Sequence, residues 1–570
     1  MRKNDEFIGN VSAVGSNMEG IVRIDNYVCF VPFALIGEKI KFKVLKTTKN
    51  IAFCKLIEVL TPAEQRVRPR CCVYGKCGGC QLQHLRYKDQ LKQKTQTVSD
   101  CLRKIGGIEF DVLPTIKSDN EYEYRNKLQL PIRFDGNGAL IGFFANNSHR
   151  VVETEDCPIQ KPWCKDVISV FKEYISLTGV SCYDESKNAG LIRHVVVRQI
   201  DNSLMITVVI NGKTLPKYEI LIEKLSLKFK KFSLFTNENE NSNNVILGEK
   251  FNLLFGEPYY YTEEFGIKYK VVPESFMQVN NQVKRKLYQD VVRTINADSE
   301  TVVIDAYSGA GLMTALLSQN AKKAYGIEII KEAVDAGNVL AKENGLSDKV
   351  ENICAPCEEE LPRLIARLRA ENAKISVVLD PPRKGCDKLV LDAILSAKPD
   401  KVVYVSCSPQ TLARDLGLLT GKLYYDGNEL KKSVEISPVY EIEKVQPYDM
   451  FPQTKHVETL VCLSKKTEKH INIDVEFGEG EGQLSLKKLQ EELNEQKPKK
   501  KTTYKDIQAY IEEKYGFKVH TAYIAEVKRD LGLPMYDAPN AVEELKRPRS
   551  HPTTEMIEAI KDALKHFEIM

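Results

Sequence analysis

Cys407 is the residue whose sequence context best suits a nucleophile. It follows the apolar run Val402–Val405 and precedes a helical pattern that begins near Thr411. In an α/β sheet the end of such a strand lies at the edge where ligands bind, and a helix N-terminus just beyond it favours a thiolate. A cysteine taken alone is more often a buried core residue, so this interpretation depends on the rest of the chain.

A second group of cysteines predicts a metal centre. Cys71, Cys77 and Cys80 form a C-x5-C-x2-C pattern among glycines that let the backbone wrap closely around a ligand. Cys157, in a turn-like Asp-Cys-Pro context, is the candidate for a fourth ligand. Zinc and a [4Fe-4S] cluster both accept four thiolates, and the spacing does not distinguish them. We expect a closed, structural centre.

Later segments predict a parallel sheet with a ligand at its edge. The strand Thr301–Asp305 leads into a glycine-rich turn, and the next strand ends at Glu328, about 20 residues later, where a carboxylate holds ribose hydroxyls. Another strand ends at the turn DPPRKG, which begins with Asp380. Strands separated by helices form a doubly wound sheet, and its ligand edge would carry Tyr307, Glu328, Asp380 and Cys407.

The bulk composition predicts an ordinary multidomain protein. The chain has 570 residues, 43% hydrophobic and 28% charged, with a formal net charge of +4, so any nucleic-acid binding must come from local patches. It contains no apolar run of roughly 18 residues and no apolar segment behind its N-terminal residues, so we expect neither a membrane span nor export, and a cytoplasmic location. In such a chain, 15 cysteines favour metal binding or catalysis over disulfides.

The N-terminal half predicts two domains. Short alternating runs over residues 1–62 predict a small β-barrel that is similar to a TRAM domain, a small RNA-binding barrel. Residues 63–270 predict a mostly antiparallel α+β domain with a charged amphipathic helix over residues 81–105. Lysines beside one hairpin of the barrel either track phosphate or form a solvated face, namely Lys39, Lys41, Lys43, Lys46 and Lys49. Basic residues of the second domain either face RNA or are ordinary exposed charges, namely Arg125, Lys127, Arg150, Arg193, His194 and Arg198.

With these residues in place, the chain resembles the RumA/TrmA-type family of S-adenosylmethionine-dependent RNA (uracil-C5)-methyltransferases. The matching segments are the cysteine pattern, YRNK, SFMQVN, DAYSGAG, DPPRKG, SCSPQTLARDL and DMFPQTKHVETLVCL, which span roughly residues 7–463. The resemblance implies a [4Fe-4S] cluster on the four cysteines. It implies cofactor contacts at Gln278, Tyr307, Glu328 and Asp380, a nucleophile at Cys407 and a general base at Glu458.

The implied reaction is methyl transfer to C5 of a uracil in 23S rRNA. A thiolate that adds to C6 makes C5 nucleophilic, and a base then removes the C5 proton so that the thiolate can leave. Arg383 and Lys384 follow the DPP turn, where amino-methyltransferases have an aromatic residue, and this favours a carbon target. The alternatives are methylation of the tRNA T-loop uracil and a non-catalytic RNA-binding iron-sulfur protein.

The expected organisation is a barrel at 1–62, the cysteine-bearing α+β domain at 63–270, a Rossmann-like methyltransferase domain at 271–465, and a linker with a helical extension at 466–570. The extension has a helical pattern LKKLQEELNEQ, the basic run Lys497–Lys501, and two helical patterns that flank Gly516. The two patterns resemble a small helix-turn-helix module, which is either an RNA-contacting addition or a helical appendage.

Overall fold

The computed structural model describes residues 1–134, 136, 138–427, 429–433, 438–466, 504–531, 533 and 551–567. Contacts within the chain divide it into two units, Met1–Glu468 and Lys469–Met570. Within the residues so described, no helix combines the length and the apolar character that a membrane span requires.

The first unit begins with a curled six-stranded sheet. Its strands are β1 (Glu6–Asn10), β2 (Ala13–Val14), β3 (Gly20–Ile24), β4 (Tyr27–Val31), β5 (Lys39–Thr47) and β6 (Ile51–Thr61). They are ordered β1-β5-β6-β4-β3-β2, and β1 also lies against β3, so the sheet closes into the predicted barrel. Along β5, Ile40, Phe42 and Val44 are buried in the barrel core. The lysines that alternate with them therefore lie on the outer face.

A turn-rich segment that carries the cysteine pattern connects the barrel to helix α1 (Tyr87–Cys101), which continues as one π-helical stretch, Leu102–Gly106. The predicted start of this helix at residue 81 is wrong. The N–H groups of Gln81 and Leu82 donate instead to the carbonyl of Gln453, at 3.1 and 2.9 Å. The segment before α1 is therefore tied to a distant loop rather than to its own helix.

A seven-stranded, mostly antiparallel sheet follows, as predicted. Its strands are β7 (Lys127–Phe134), β8 (Ala139–Phe144), β9 (Val151–Glu153), β10 (Ile192–Ile200), β11 (Ser203–Ile210), β12 (Phe232–Glu238) and β13 (Lys250–Phe255), in the order β13-β12-β11-β10-β7-β8-β9. Helices α2 (Trp163–Thr178) and α3 (Tyr218–Lys228) pack on the face that carries Leu128, Leu130 and Ile132. Because side chains alternate along a strand, Lys127, Gln129 and Pro131 lie on the other face.

A hairpin of β14 (Tyr260–Glu264) and β15 (Ile267–Val271) and helix α4 (Asn281–Ile295) lead into a second seven-stranded sheet. Its strands are β16 (Thr301–Ala306), β17 (Lys323–Glu328), β18 (Val350–Cys354), β19 (Lys374–Leu379), β20 (Lys401–Ser406), β23 (Tyr440–Tyr448) and β24 (Glu458–Lys465). The helices between them are α5 (Leu312–Ser318), α6 (Lys331–Glu343), α7 (Cys357–Ala370), α8 (Lys388–Ala397) and α9 (Pro409–Leu419). A small hairpin, β21 (Leu423–Asp426) and β22 (Glu429–Lys432), follows α9.

The order of this sheet is β18-β17-β16-β19-β20-β24-β23. Its first five strands are parallel, and β24 and β23 extend it in antiparallel fashion. Both faces are buried: Val302 and Ile304 pack with α7 to α9, whereas Val303 packs with α4. The doubly wound prediction is confirmed, and the chain reverses its direction of winding between β16 and β19, which is where such sheets bind ligands.

The second unit has a small apolar core shared by α10 (Tyr504–Tyr515), α11 (Thr521–Asp530) and α12 (Thr554–His566). The two helices predicted on either side of Gly516 are confirmed as α10 and α11. Helix α12 was not predicted. The helical pattern LKKLQEELNEQ and the basic run Lys497–Lys501 lie outside the described residues.

Candidate active site

Four of the predicted site residues lie at one edge of the second sheet. The carboxyl ends of the parallel strands meet there, since their registers align. Tyr307 follows β16, Glu328 ends β17, Asp380 follows β19 and Cys407 follows β20. The topology thus brings together side chains that are far apart in the sequence.

The antiparallel strand β24 adds Glu458 to the same edge. Ser406, the last residue of β20, pairs with Thr459 of β24. Cys407 and Glu458 each come one position beyond that pair, at the same end of the ladder, so they are neighbours across the two strands. A thiol and a carboxyl are therefore adjacent, as a nucleophile and a proton acceptor for one substrate must be.

The electrostatics of Cys407 show which groups surround it. Burial raises the pKa of its thiol, and the Glu458 and Asp380 carboxylates raise it further. The guanidinium of Arg383, which interacts with the thiol, lowers that pKa. Helix α9 begins at Pro409, two residues beyond the cysteine, and its N-terminus also favours the thiolate.

Two carboxyls of the site have strongly raised pKa values. Glu458 is only 5% exposed. Burial, followed by the charge of Asp380, raises the pKa of its carboxyl to about 8, and the charge of Arg383 partly opposes this rise. The Asp380 side chain keeps contact with solvent, yet the protein atoms around it desolvate the carboxyl and raise its pKa to about 7. The site therefore holds carboxyls that change protonation near neutral pH, which suits proton transfer.

Glu328, at the end of β17, forms a hydrogen bond with the glycine-rich turn that follows β16. One carboxylate oxygen accepts a hydrogen bond from the Gly309 N–H at 3.0 Å, and the other accepts one from the Ile330 N–H at 3.0 Å. A carboxylate has lone pairs to spare beyond these two bonds, so it can also accept ribose hydroxyls. Tyr307, at the start of the turn, has a left-handed φ of 66°, and such backbone strain is found most often at functional sites.

Gln278 lies in the segment before α4. Its main-chain carbonyl accepts a hydrogen bond from Asn126 Nδ2 at 3.0 Å, and Asn126 also donates to Asn281 Oδ1 at 2.8 Å. The cap of α4 is Asn280, whose Oδ1 accepts from the Val283 N–H at 3.3 Å. The Asn126 amide of the YRNK segment thereby joins the central sheet to the start of α4.

The loop before Glu458 is held by the segment that follows the cysteine pattern. Gln453 exchanges two hydrogen bonds with Gln90 of α1, at 2.9 and 3.1 Å, in addition to the bonds from Gln81 and Leu82. Lys94 of the same helix forms a buried ion pair with Asp449, with Nζ and Oδ1 2.5 Å apart. The position of the proposed base therefore depends on elements at the other end of the sequence.

The four candidate metal ligands influence one another electrostatically. Burial raises the pKa of Cys80 to about 12, and the charges of Cys77 and Cys71 add to this effect. Burial likewise raises the pKa of Cys157, with contributions from Cys80 and Cys71. Across the part of the chain that the structure describes, however, no three His, Cys, Asp or Glu side chains converge closely enough to hold a metal ion. The predicted centre is therefore not shown.

The basic residues of the central sheet differ in their surroundings. Arg193, His194 and Arg198 are buried, at 4%, 5% and 3% exposed, so the interpretation as ordinary exposed charges is wrong for these three. Arg198 pairs in register with Lys127 across β10 and β7. Burial lowers the pKa of Lys127 to about 8, and the neighbouring cations Arg198 and Arg125 add to this effect.

Sequence reasoning missed the role of Arg383. From the sequence, Arg383 indicates only a carbon rather than an amine target, whereas the structure brings its guanidinium to both Cys407 and Glu458. The signal was present, because Arg383 lies three residues beyond Asp380 at a strand end that was already assigned to the ligand edge. Two cavities, of about 140 and 530 Å³, open elsewhere, beside α4 and on the central sheet.

Comparison with known proteins agrees with this arrangement. The tRNA (uracil-5-)-methyltransferase family matches residues 86–466, and the TRAM domain matches residues 10–57. Proteins named uncharacterized RNA methyltransferase from Clostridium tetani and Clostridium acetobutylicum are 39% and 38% identical to this chain, and each alignment covers 82% of it and 98% of the relative.

A solved structure has the same fold. It is the Pyrococcus abyssi tRNA (uracil-54, C5)-methyltransferase in complex with S-adenosyl-L-homocysteine, with a TM-score of 0.62 and 23% identity, and the match covers 80% of this chain and 100% of that one. The family model matches the sequence over most of the first unit, so it shows the family as well as the fold. The chain belongs to the tRNA (uracil-5-)-methyltransferase family of S-adenosylmethionine-dependent RNA-modifying enzymes.

Proposed function

We propose that this protein transfers the methyl group of S-adenosylmethionine to C5 of a uracil in 23S rRNA, with Cys407 as nucleophile and Glu458 as general base. The observation that carries the proposal is the adjacency of these two side chains at the shared end of β20 and β24. A half-buried thiol beside a buried carboxyl has little structural benefit, because each disfavours the charged form of the other. Catalysis by a covalent adduct requires both.

The reaction assigns a separate step to each side chain. The Cys407 thiolate adds to C6 of the uracil, and the ring electrons move to C5 as an enolate. C5 then attacks the sulfonium methyl group, and S-adenosylhomocysteine leaves. Glu458 removes the proton that remains on C5, and the electrons of that C–H bond expel the thiolate. The cysteine is regenerated and 5-methyluracil is released.

The surroundings of Cys407 support this chemistry. Its thiol has to ionise although burial and two carboxylates raise its pKa, and Arg383 opposes them. The N-terminus of α9 adds a second favourable field. Glu458, with a pKa raised to about 8, is a stronger base than an ordinary carboxylate and still ionises near neutral pH.

We assign the methyl donor to the edge formed by Gln278, Tyr307, Glu328 and Asp380. The fixed carboxylate of Glu328 suits the ribose hydroxyls, and the ring of Tyr307 offers an apolar surface beside the glycine turn. Asp305 lies in β16 two residues before Tyr307, and its carboxylate accepts a hydrogen bond from Thr314 of α5 at 2.6 Å. These residue types fit an adenosyl ligand.

The cysteine pattern is the proposed binding site of a [4Fe-4S] cluster. Burial raises the pKa of Cys80 and of Cys157, and neighbouring thiols of the group raise both further; a bound cation relieves such repulsion. Gly79 donates its N–H to Cys77 Sγ at 3.3 Å, a type of bond common around cluster sulfurs. The cluster would have a structural role, because the polar mechanism transfers no electron. Purified protein should absorb visible light, whereas a colourless protein that contains zinc contradicts the cluster.

The domain composition and the comparisons bear on which RNA is the substrate. The TRAM domain supports an RNA substrate, and the combination of barrel and cysteine pattern favours 23S rRNA. The tRNA T-loop uracil is the second candidate, favoured by the description of the matching family and by the name of the similar Pyrococcus abyssi enzyme. A non-catalytic RNA-binding protein is the third, and it predicts no binding of S-adenosylmethionine.

Labelled S-adenosylmethionine with unmodified 23S rRNA and tRNA tests the proposal. We expect label at uracil C5 of 23S rRNA. Cys407→Ala should abolish transfer, and Glu458→Gln should trap a methylated RNA adduct that survives denaturing electrophoresis. Cys354→Ala, at an exposed cysteine, is the matched control and should be fully active. Transfer by Cys407→Ala at the wild-type rate contradicts the mechanism, and label only in tRNA contradicts the assigned substrate.

A further inference from the structure

A cavity of about 530 Å³ opens on the central sheet, away from Cys407. Among the residues that line it are Gln129, Pro131, Phe144, Asn146, His149 and His194. Its volume lies within the range of small-molecule sites, roughly 300 to 1,000 Å³. The methyl-transfer chemistry uses none of these side chains.

The cavity belongs to the face of the sheet that α2 and α3 leave uncovered. Gln129 and Pro131 alternate with Leu128 and Leu130, which face the helices. The same uncovered face carries Lys127, four residues and about 13 Å before Pro131. Of the pair at the far end of this face, Lys127 is half-buried and Arg198 is buried.

Aromatic rings form one side of the cavity. His149 stacks on Phe144, with ring centroids 5.3 Å apart and planes 27° apart. The Arg133 guanidinium lies 5.5 Å from the centre of the Phe144 ring, and His194 meets that ring edge-on at 6.3 Å. Stacked rings with a cation alongside are the surface on which proteins hold unpaired RNA bases.

His194 gives the cavity a polar group without a partner. The side chain is 5% exposed, and among the described residues its Nδ1 has no hydrogen-bond partner. Burial and the charges of Arg133 and Arg193 lower its pKa to about 3, so the ring is neutral and offers one donor and one acceptor. Nδ1 itself is closed off from solvent, so a base in the cavity would bond to the edge of the His194 ring that lines it.

The loop that carries the cysteines forms another side of the cavity. The Gly78 N–H donates to the Phe144 carbonyl at 2.9 Å, and Cys77 forms a β-bridge with Ala145. Gly78 approaches so closely that a Cβ there would lie 3.0 Å from the backbone of Asn146. The conformation of the cysteine loop thereby sets the width of the cavity.

We propose that this cavity binds an unstacked base of the RNA substrate, a base other than the uracil that is methylated. The base stacks on the Phe144 and His149 rings and bonds through its edge to the side of the His194 ring that lines the cavity. This second site rests on the proposed function for its substrate class. It would let the enzyme recognise the sequence beside its target and hold the strand open for the target base.

Binding of short single-stranded oligoadenylate to the full-length protein tests the proposal, with an abasic RNA of equal length as the comparison. Wild-type protein should bind the oligoadenylate about tenfold more tightly, since stacking contributes that much per base. Phe144→Ala should remove the difference, and Phe144→Tyr should keep it. His194→Gln should weaken oligoadenylate binding about threefold. Phe134→Ala, an exposed aromatic of the same strand pair that does not line the cavity, is the control.

The same variants are then assayed for methyl transfer to total RNA from a strain that lacks this protein. We expect Phe144→Ala to raise KM for RNA about tenfold with the affinity for S-adenosylmethionine unchanged. The proposal is overturned if the wild-type protein binds both RNAs equally, or if folded Phe144→Ala and His194→Gln both behave as wild type. Should Phe144→Ala not fold, the His194→Gln comparison decides. A wild-type protein that prefers oligoadenylate but methylates no RNA contradicts the proposed function and leaves the cavity assignment standing.

Discussion

At the scale of single residues, Arg383 lies among the carboxyls of the site and acts on both side chains of the proposed reaction. Arg383 acts on both reactive groups: it lowers the pKa of Cys407 and that of Glu458, against burial and against Asp380. A lone positive charge near a thiol and a carboxyl favours the ionised form of each. Both ionised forms are the ones that the proposed reaction uses.

Substitution of Arg383 should therefore shift the pH dependence of the enzyme. In Arg383→Gln the pKa values of Cys407 and Glu458 both rise, so the acidic limb of kcat/KM should move to higher pH by about one unit. Arg383→Lys keeps the charge and should move it less. The measurement is methyl transfer between pH 6 and pH 10. Equal profiles for all three proteins would show that Arg383 has no electrostatic role.

The raised pKa of Glu458 also predicts an effect on stability. Its pKa is about 8 in the folded protein and about 4.5 when unfolded, so the folded state binds more protons between these values. The free energy of unfolding consequently falls as the pH rises through that window. Glu458→Gln cannot ionise, so it should be more stable than wild type at pH 8.5, by on the order of 3 kcal/mol, and about equal at pH 4.5. Urea unfolding at both pH values measures this, and an advantage that does not change with pH contradicts the raised pKa.

At the scale of helices and strands, the ends of elements can be predicted from local sequence, whereas contacts between distant segments cannot. The ends of β16, β19 and β20 were predictable because each is a short apolar run that stops at a glycine- or proline-containing turn. The adjacency of Glu458 to Cys407 arises from strand pairing between distant segments, and only the resemblance to a family indicated it. The ion pair of Lys94 and Asp449 joins residues 355 positions apart, and no periodic pattern in the sequence encodes such a contact.

That ion pair should stabilise the loop that precedes Glu458. Lys94 and Asp449 are both fully buried, and Lys94 also donates to the Phe451 carbonyl at 3.1 Å. Lys94→Met leaves a buried carboxylate without its partner, which should cost about 3 to 5 kcal/mol of stability. The double substitution Lys94→Met with Asp449→Leu should recover most of the loss. Thermal unfolding of the three proteins tests this, and a double variant no more stable than the single one argues against an electrostatic cause.

At the scale of the whole molecule, two kinds of observation divide the chain near the same point. The first unit ends at Glu468 by its contacts, and the family match ends at residue 466. The relatives from Clostridium are covered almost entirely while about a fifth of this chain is left over. The described helices of the second unit share an apolar core of their own. The methyl-transfer machinery should therefore lie wholly within the first unit.

A protein that consists of residues 1–466 should accordingly fold and methylate RNA with the same kcat as the full chain. The matched control is residues 1–456, which lack Glu458 and the whole of β24. Since β24 lies between β20 and β23, its removal leaves β23 without a neighbouring strand and leaves one edge of β20 unpaired, so this shorter protein should not fold. Circular dichroism and single-turnover methyl transfer compare the two. A folded 1–466 protein that binds S-adenosylmethionine but transfers no methyl group would mean that the second unit takes part in the reaction, through the RNA rather than through the cofactor edge.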